Sequence, residues 1–168
     1  MSTKNYDLIV YGASSFVGAI MSRYLAEHLA DSPQISWAIA GRCVTKLERL
    51  RNDLPAASAK LPIIVADATD SAALHKMCRS ARVVVSTVGP YALHGEPLIA
   101  ACAENGTDSC DITGEAYWIK RMIDTYQARA EASGARLVSC CGFDSIPSDL
   151  GVHFLQTQSM KRFEGYCN

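Results

Sequence analysis

The stretch Gly12-Ala13-Ser14-Ser15-Phe16-Val17-Gly18 constrains the fold more tightly than any other in the chain. It stands between an apolar run, Tyr6–Tyr11, that reads as a strand, and a segment, Phe16–His28, that reads as a helix. In that segment Val17, Ile20, Met21, Tyr24 and Leu25 recur at helical spacing. A chain turning sharply from strand into helix needs glycine at the turn, and a later glycine lets helix and strand pack closely. The helix amino terminus then offers free N–H groups and the positive end of its dipole, which suit a pyrophosphate. Ser15 takes the place where many such loops carry a middle glycine, and its hydroxyl can donate to a phosphate or cap the helix. An ordinary tight turn with no ligand would need the same glycines, so the reading draws its strength from the surrounding pattern.

That pattern is an alternation of short apolar runs with amphipathic segments. Further strands are expected over residues 37–40, 63–66, 83–87, 109–112 and 136–141. Helices are expected over 46–54, from 70 or 71 toward 79, over 97–104 and 116–132, and from about 147 onward. Thr45 followed by Glu48 reads as a capping box for the second helix, and Asp70 or Ser71 as the cap of the third. Continuous apolar strands separated by helices imply a parallel sheet covered on both faces. The expected fold class is therefore α/β: a Rossmann-type doubly wound parallel sheet of six strands with helices on both faces. Residues 1–151 are expected to form this dinucleotide-binding domain. Residues 152–168 are expected to begin the connection to an absent carboxy-terminal substrate domain.

Composition narrows the function classes. A formal net charge of −1 gives no general attraction to nucleic acid or to an acidic membrane, although one phosphate pocket needs only local donors. The seven cysteines contain no C-x-x-C pair, so no metal site is expected, and they read as reduced thiols of a cytoplasmic protein. Cys140 and Cys141 fall on the last strand-like run, where neighbouring side chains face opposite ways. The polar start carries no apolar signal region, and no run is long enough to span a bilayer.

The end of the second strand selects the dinucleotide. An NAD site places Asp or Glu there for the ribose 2′-hydroxyl, whereas a 2′-phosphate calls for a cation. This chain reads Ala40-Gly41-Arg42, with Lys46 one helical turn on, so the expected cofactor is NADP(H). Arg42 would otherwise be a solvated surface residue. Asp67, closing the third strand, can accept from the adenine amino group or cap its own turn. Thr87, Val88, Gly89 and Pro90 close the fourth strand, at the edge facing the ligand. The cofactor-binding set is thus Gly12, Ser14, Ser15, Phe16, Val17, Gly18, Arg42, Lys46, Asp67, Thr87, Val88, Gly89 and Pro90.

Chemistry is less legible. A short-chain dehydrogenase pairs tyrosine with lysine four residues later, but Tyr117 precedes Lys120 by three and Tyr126 precedes Ala130. The candidates at the sheet's carboxyl edge are His94, Tyr91, Asp111 and Glu115, with His94 able to shuttle a proton near neutrality. All four equally suit helix capping or loop tying, as do Glu96, Thr113, Asp144, Ser145 and Asp149.

Taken in order, the runs Gly12–Gly18, Trp37-Ala38-Ile39-Ala40-Gly41-Arg42, Val88-Gly89-Pro90-Tyr91, Gly95-Glu96-Pro97-Leu98, Asp111-Ile112-Thr113-Gly114-Glu115 and the stretch from Gly142 to Gly151 carry a resemblance. The chain resembles the saccharopine dehydrogenase-like oxidoreductases, including the trans-acting enoyl reductases. The resemblance implies an amino-terminal NADP-binding domain followed by a larger domain that completes a substrate cleft. It also implies hydride transfer, on the double bond of a lipid or polyketide-derived substrate. The full-length protein is thus expected to be an NADP-dependent oxidoreductase whose isolated fragment is inactive. Its partner is a small or lipid-like molecule, and homodimerisation and peripheral lipid association stay open. The alternative is a non-catalytic NADP-sensing or scaffold protein.

Overall fold

A computed structural model describes residues 4–30, 32 and 34–166. Six strands, β1 (Tyr6–Tyr11), β2 (Trp37–Gly41), β3 (Ile63–Val65), β4 (Ala81–Ser86), β5 (Asp108–Asp111) and β6 (Leu137–Val138), form one sheet in the order β3-β2-β1-β4-β5-β6. All pairings are parallel, with Leu8 between Trp37 and Val83 and Val10 between Ile39 and Val85. The doubly wound sheet of six strands is therefore present.

Alternation along β1 separates two cores. Ile9 and Tyr11 pack with Ala38, Ala40, Leu74, Met77 and Leu98 on one face, whereas Val10 packs with Ile39, Leu47, Leu50 and Ala26 on the other. The first face is covered by α3 (Ser71–Ser80) and α5 (Glu96–Asn105), with α6 (Ala116–Ser133) beside α5. The second is covered by α1 (Phe16–His28) and α2 (Val44–Asn52). α3 also carries the chain from the β3 edge back across to β4 beside β1, which reverses the strand order between β1 and β4.

Local chemistry sets the element ends. Asp70 caps α3, its Oδ1 accepting from the Ala73 amide at 2.9 Å. Gly106 and Gly134 end α5 and α6 in the left-handed conformation that glycine adopts without strain. The expected capping box at Thr45 does not form: α2 begins at Val44, with Cys43 in the cap position and no side-chain cap bond. Ser145 likewise precedes α7 (Ile146–Phe163) without a side-chain cap bond. A short helix absent from the sequence reading, α4 (Tyr91–His94), connects β4 to α5.

The last strand is shorter than expected, because Asp111 captures the chain just past Val138. Asp111 accepts from the Ser139 hydroxyl and the Cys140 amide through its carboxylate, and from the Cys141 amide through its carbonyl. Cys140 adopts φ 62°, so Cys140 and Cys141 do not share strand geometry. α7 runs unbroken through the expected boundary at 151/152.

Candidate functional site

The glycine loop closes on itself through backbone bonds. The Gly12 and Ala13 amides both donate to the Ala40 carbonyl, at 2.9 and 3.1 Å, tying the loop to the end of β2. Gly12 stands at φ +83°, and a Cβ there would meet Thr87 Oγ1 at 2.7 Å and Val88 Cγ2 at 2.8 Å. At Gly18 a Cβ would lie 2.2 Å from the Gly12 carbonyl oxygen, so only glycine lets α1 pack this closely on the loop.

Ser15 resolves in favour of the helix. Its Oγ accepts from the Gly18 amide at 3.0 Å and lies 3.0 Å from Thr87 Oγ1, while Thr87 Oγ1 donates to the Gly12 carbonyl at 3.1 Å. Thr87 has one hydroxyl proton, so with that proton on Gly12 it is Ser15 that donates to Thr87. The one donor of the Ser15 hydroxyl is thereby used within the protein. The amides of Phe16 and Val17, at the first turn of α1, have no acceptor within the helix.

A cleft of about 320 Å³ opens at the carboxyl ends of β1 to β4. Gly12, Ser14 and Ser15 form one wall, Arg42 and Lys46 a second, and Thr87, Val88 and Gly89 a third. The turn Asp67, Ala68 and Thr69 closes the β3 side, and His94 reaches in from α4. Nine of the expected cofactor residues thus share one cleft. Phe16, Val17, Gly18 and Pro90 do not line it: the Phe16 side chain is 83% exposed, Gly18 serves packing, and Pro90 precedes α4. Cys43, Ala68 and Thr69 line it without having been expected, and the only sequence signal for Thr69 is the turn after Asp67.

The electrostatics of the cleft favour an anion. Neither Arg42 nor Lys46 forms an ion pair among the described residues. Asp67 is the one carboxylate lining the cleft, and its Oδ1 accepts from the Thr69 amide and hydroxyl at 2.9 and 2.7 Å. The Thr69 amide, then the Thr69 hydroxyl, hold that carboxyl below the usual range, with smaller help from Arg42 and His94. Of the two roles open to Asp67, turn capping is the one its contacts display.

Three of the four catalytic candidates form a separate framework. Tyr91 is buried; its hydroxyl donates to the Ser86 carbonyl at 2.9 Å and accepts from the Ile112 amide at 3.3 Å, and burial pushes its pKa up to about 12. Glu115 accepts from the Tyr91 amide at 2.7 Å and the Ala92 amide at 2.8 Å, one carboxylate oxygen each. Asp111 is buried and accepts from Thr113, Ser139 and Cys140, and burial pushes its carboxyl pKa up. The side-chain hydrogen bonds of these three groups go to the loops of β4, β5 and β6. His94 stands apart from them, in the cleft. No group of His, Cys, Asp and Glu among the described residues converges to hold a metal ion.

Comparison with known proteins adds a lineage to this geometry. The family model described as saccharopine dehydrogenase NADP binding domain matches residues 8–138. The chain is 43% identical to a lipid droplet localized protein of Caenorhabditis elegans, over 97% of this chain and 38% of that protein. It is 42% identical to a trans-acting enoyl reductase of Mycobacterium ulcerans, over 90% of this chain and 36% of that protein. It therefore spans less than two fifths of the length of these curated relatives. Among solved structures, apo saccharopine dehydrogenase (L-Glu forming) from Saccharomyces cerevisiae superposes with a TM-score of 0.66 at 20% identity, over 88% of this chain and 31% of that one.

Proposed function

The chain belongs to the saccharopine dehydrogenase NADP-binding domain family, its cofactor is NADP(H), and from that premise we propose that it forms the cofactor half of an oxidoreductase that reduces a carbon–carbon double bond in a lipid or polyketide-derived substrate. The observation that carries this reading is the end of β2, where Gly41-Arg42 puts a cation, and no carboxylate, beside the phosphate loop. The donor set suits the cofactor. In this reading the first-turn amides of Phe16 and Val17, next to the Ser14–Ser15 wall of the cleft, take the pyrophosphate, Arg42 and Lys46 take the 2′-phosphate, and the Asp67 carboxylate is occupied by its own Thr69 donors. Ser14, Thr87, Val88 and Gly89 shape the walls between these groups. When bound, the nicotinamide ring supplies the hydride. The chain's own part is to fix the dinucleotide along the carboxyl edge of the sheet and to exclude water from the phosphate contacts.

The substrate side lies outside this domain in the proposal. α7 carries Leu150, Phe154, Leu155 and Phe163 each more than half exposed, which supports a reading in which a second domain covers this helix. The name of the C. elegans relative supports a lipid-like substrate or a lipid-associated setting. No helix among the described residues is long and apolar enough to cross a membrane. A non-catalytic NADP sensor is the second reading, favoured by the engagement of Tyr91, Asp111 and Glu115 within the fold. The two separate in an assay of the full-length protein with NADPH and an α,β-unsaturated acyl thioester. Loss of NADPH absorbance with formation of the saturated product supports the reductase, whereas tight NADPH binding without turnover on any enoyl substrate leaves the sensor.

A further inference from the structure

We infer that His94 belongs to the adenosine end of the cofactor cleft, with its imidazole set against the purine, and is not the acid of a reaction centre. The inference rests on the cofactor reading above and assigns a residue that the reading leaves without a role. The cleft is lined by the carboxyl ends of β1, β2, β3 and β4 and by α4, and by no residue of β5, β6 or α6. In a sheet ordered β3-β2-β1-β4-β5-β6, each half takes one mononucleotide and the division falls between β1 and β4. The half that holds the glycine loop and Arg42 takes the adenosine phosphate. His94 follows β4 in the chain, yet it lines the cleft together with Asp67, Ala68 and Thr69 at the end of β3, on the adenosine side. The nicotinamide end falls toward β5 and β6, which contribute no residue to this cleft.

His94 is also held in place. The Glu115 carboxylate caps α4 by accepting from the Tyr91 and Ala92 amides, the buried Tyr91 hydroxyl donates to Ser86, and the His94 amide donates to the Pro90 carbonyl at 3.1 Å. An anchored turn thus brings an aromatic ring into a cleft that the small side chains of Ala68 and Thr69 also line. A planar base fits between such surfaces by stacking. Arg42, just past β2, and Lys46, on α2, are the groups placed for the 2′-phosphate, so His94 acts on the part of the ligand that NADP(H) and NAD(H) share.

The test is equilibrium binding of 2′,5′-ADP, NADPH and NADH to the 168-residue chain, its His94→Ala variant and its His94→Phe variant, with thermal unfolding of each as a folding control. His94→Ala is expected to weaken all three ligands by a similar factor of about fivefold or more, the scale of a lost aromatic–base stack, and His94→Phe to stay within about twofold of the parent. Unchanged 2′,5′-ADP binding by His94→Ala overturns the inference. So does a loss confined to NADPH, which would make His94 a phosphate contact, or a folded His94→Phe chain as weak as His94→Ala. A parent chain that binds none of the three removes the cofactor reading itself, and this inference with it.

Discussion

At Gly18 a methyl group would stand 2.2 Å from the Gly12 carbonyl oxygen and 2.8 Å from the Ala13 Cα, and both are backbone atoms that cannot swing aside. Gly18→Ala is therefore expected to cost about 1–3 kcal/mol of stability in denaturant unfolding and to weaken NADPH binding, since the amides it displaces form the phosphate cradle. Arg42 makes a different prediction, because it is free of ion pairs among the described residues. Removing it leaves the fold intact and takes away a charge-assisted contact. Arg42→Ala is expected to weaken NADPH roughly tenfold and NADH about twofold or less in parallel titrations. Both residues are legible in the sequence because their meaning is local, the glycine through the turn it permits and the arginine through its place at a strand end. The role of Ser15 is not, since its choice between phosphate and helix depends on Thr87, a partner 72 positions away that no local pattern announces.

Among the elements, α4 was missed and it bears most on the site. Its cap comes from Glu115, 24 residues from Tyr91 in sequence, so no start signal precedes it. Glu115→Ala would leave the Tyr91 and Ala92 amides without their acceptor. An expected loss of about 1–3 kcal/mol in unfolding free energy should come with weaker NADPH binding, because α4 carries His94. Asp70→Ala removes the side-chain cap of α3, directly after the Asp67–Thr69 turn, and is expected to cost about 1 kcal/mol in unfolding free energy. The α3 cap was legible because donor and acceptor lie three residues apart. Thr45 carried the same signal and failed, since the chain is already helical at Val44 and puts the threonine inside the first turn. β6 ends early for a tertiary reason, the capture of residues 139–141 by Asp111 on the neighbouring strand.

Over the whole molecule, stability and pH are linked through carboxyls shifted in opposite directions. Asp108, held low first by its hydrogen bond from Arg136, and Asp7, held low first by the Ser36 amide, contribute stability above the ordinary aspartate pKa and lose it as pH falls through their lower folded values. Asp111, raised by burial, runs the other way: its contribution is present below the ordinary value and is lost as pH rises through its folded one. Urea unfolding is expected to show the parent weakening below about pH 4, and Asp111→Asn at least as stable as the parent near neutrality, with a flatter profile between about pH 4 and 7. The alternation of apolar runs made the doubly wound sheet legible, because burial on both faces leaves strands no polar side to show. It could not reveal which strand ends share the cleft, since that follows from strand order. The central claim, a phosphate cradle with a cation that selects the phosphorylated ribose, meets its most direct test in calorimetric titration of the 168-residue chain with NADPH and with NADH. NADPH is expected to bind tighter by roughly tenfold or more; equal or tighter binding of NADH would contradict the claim.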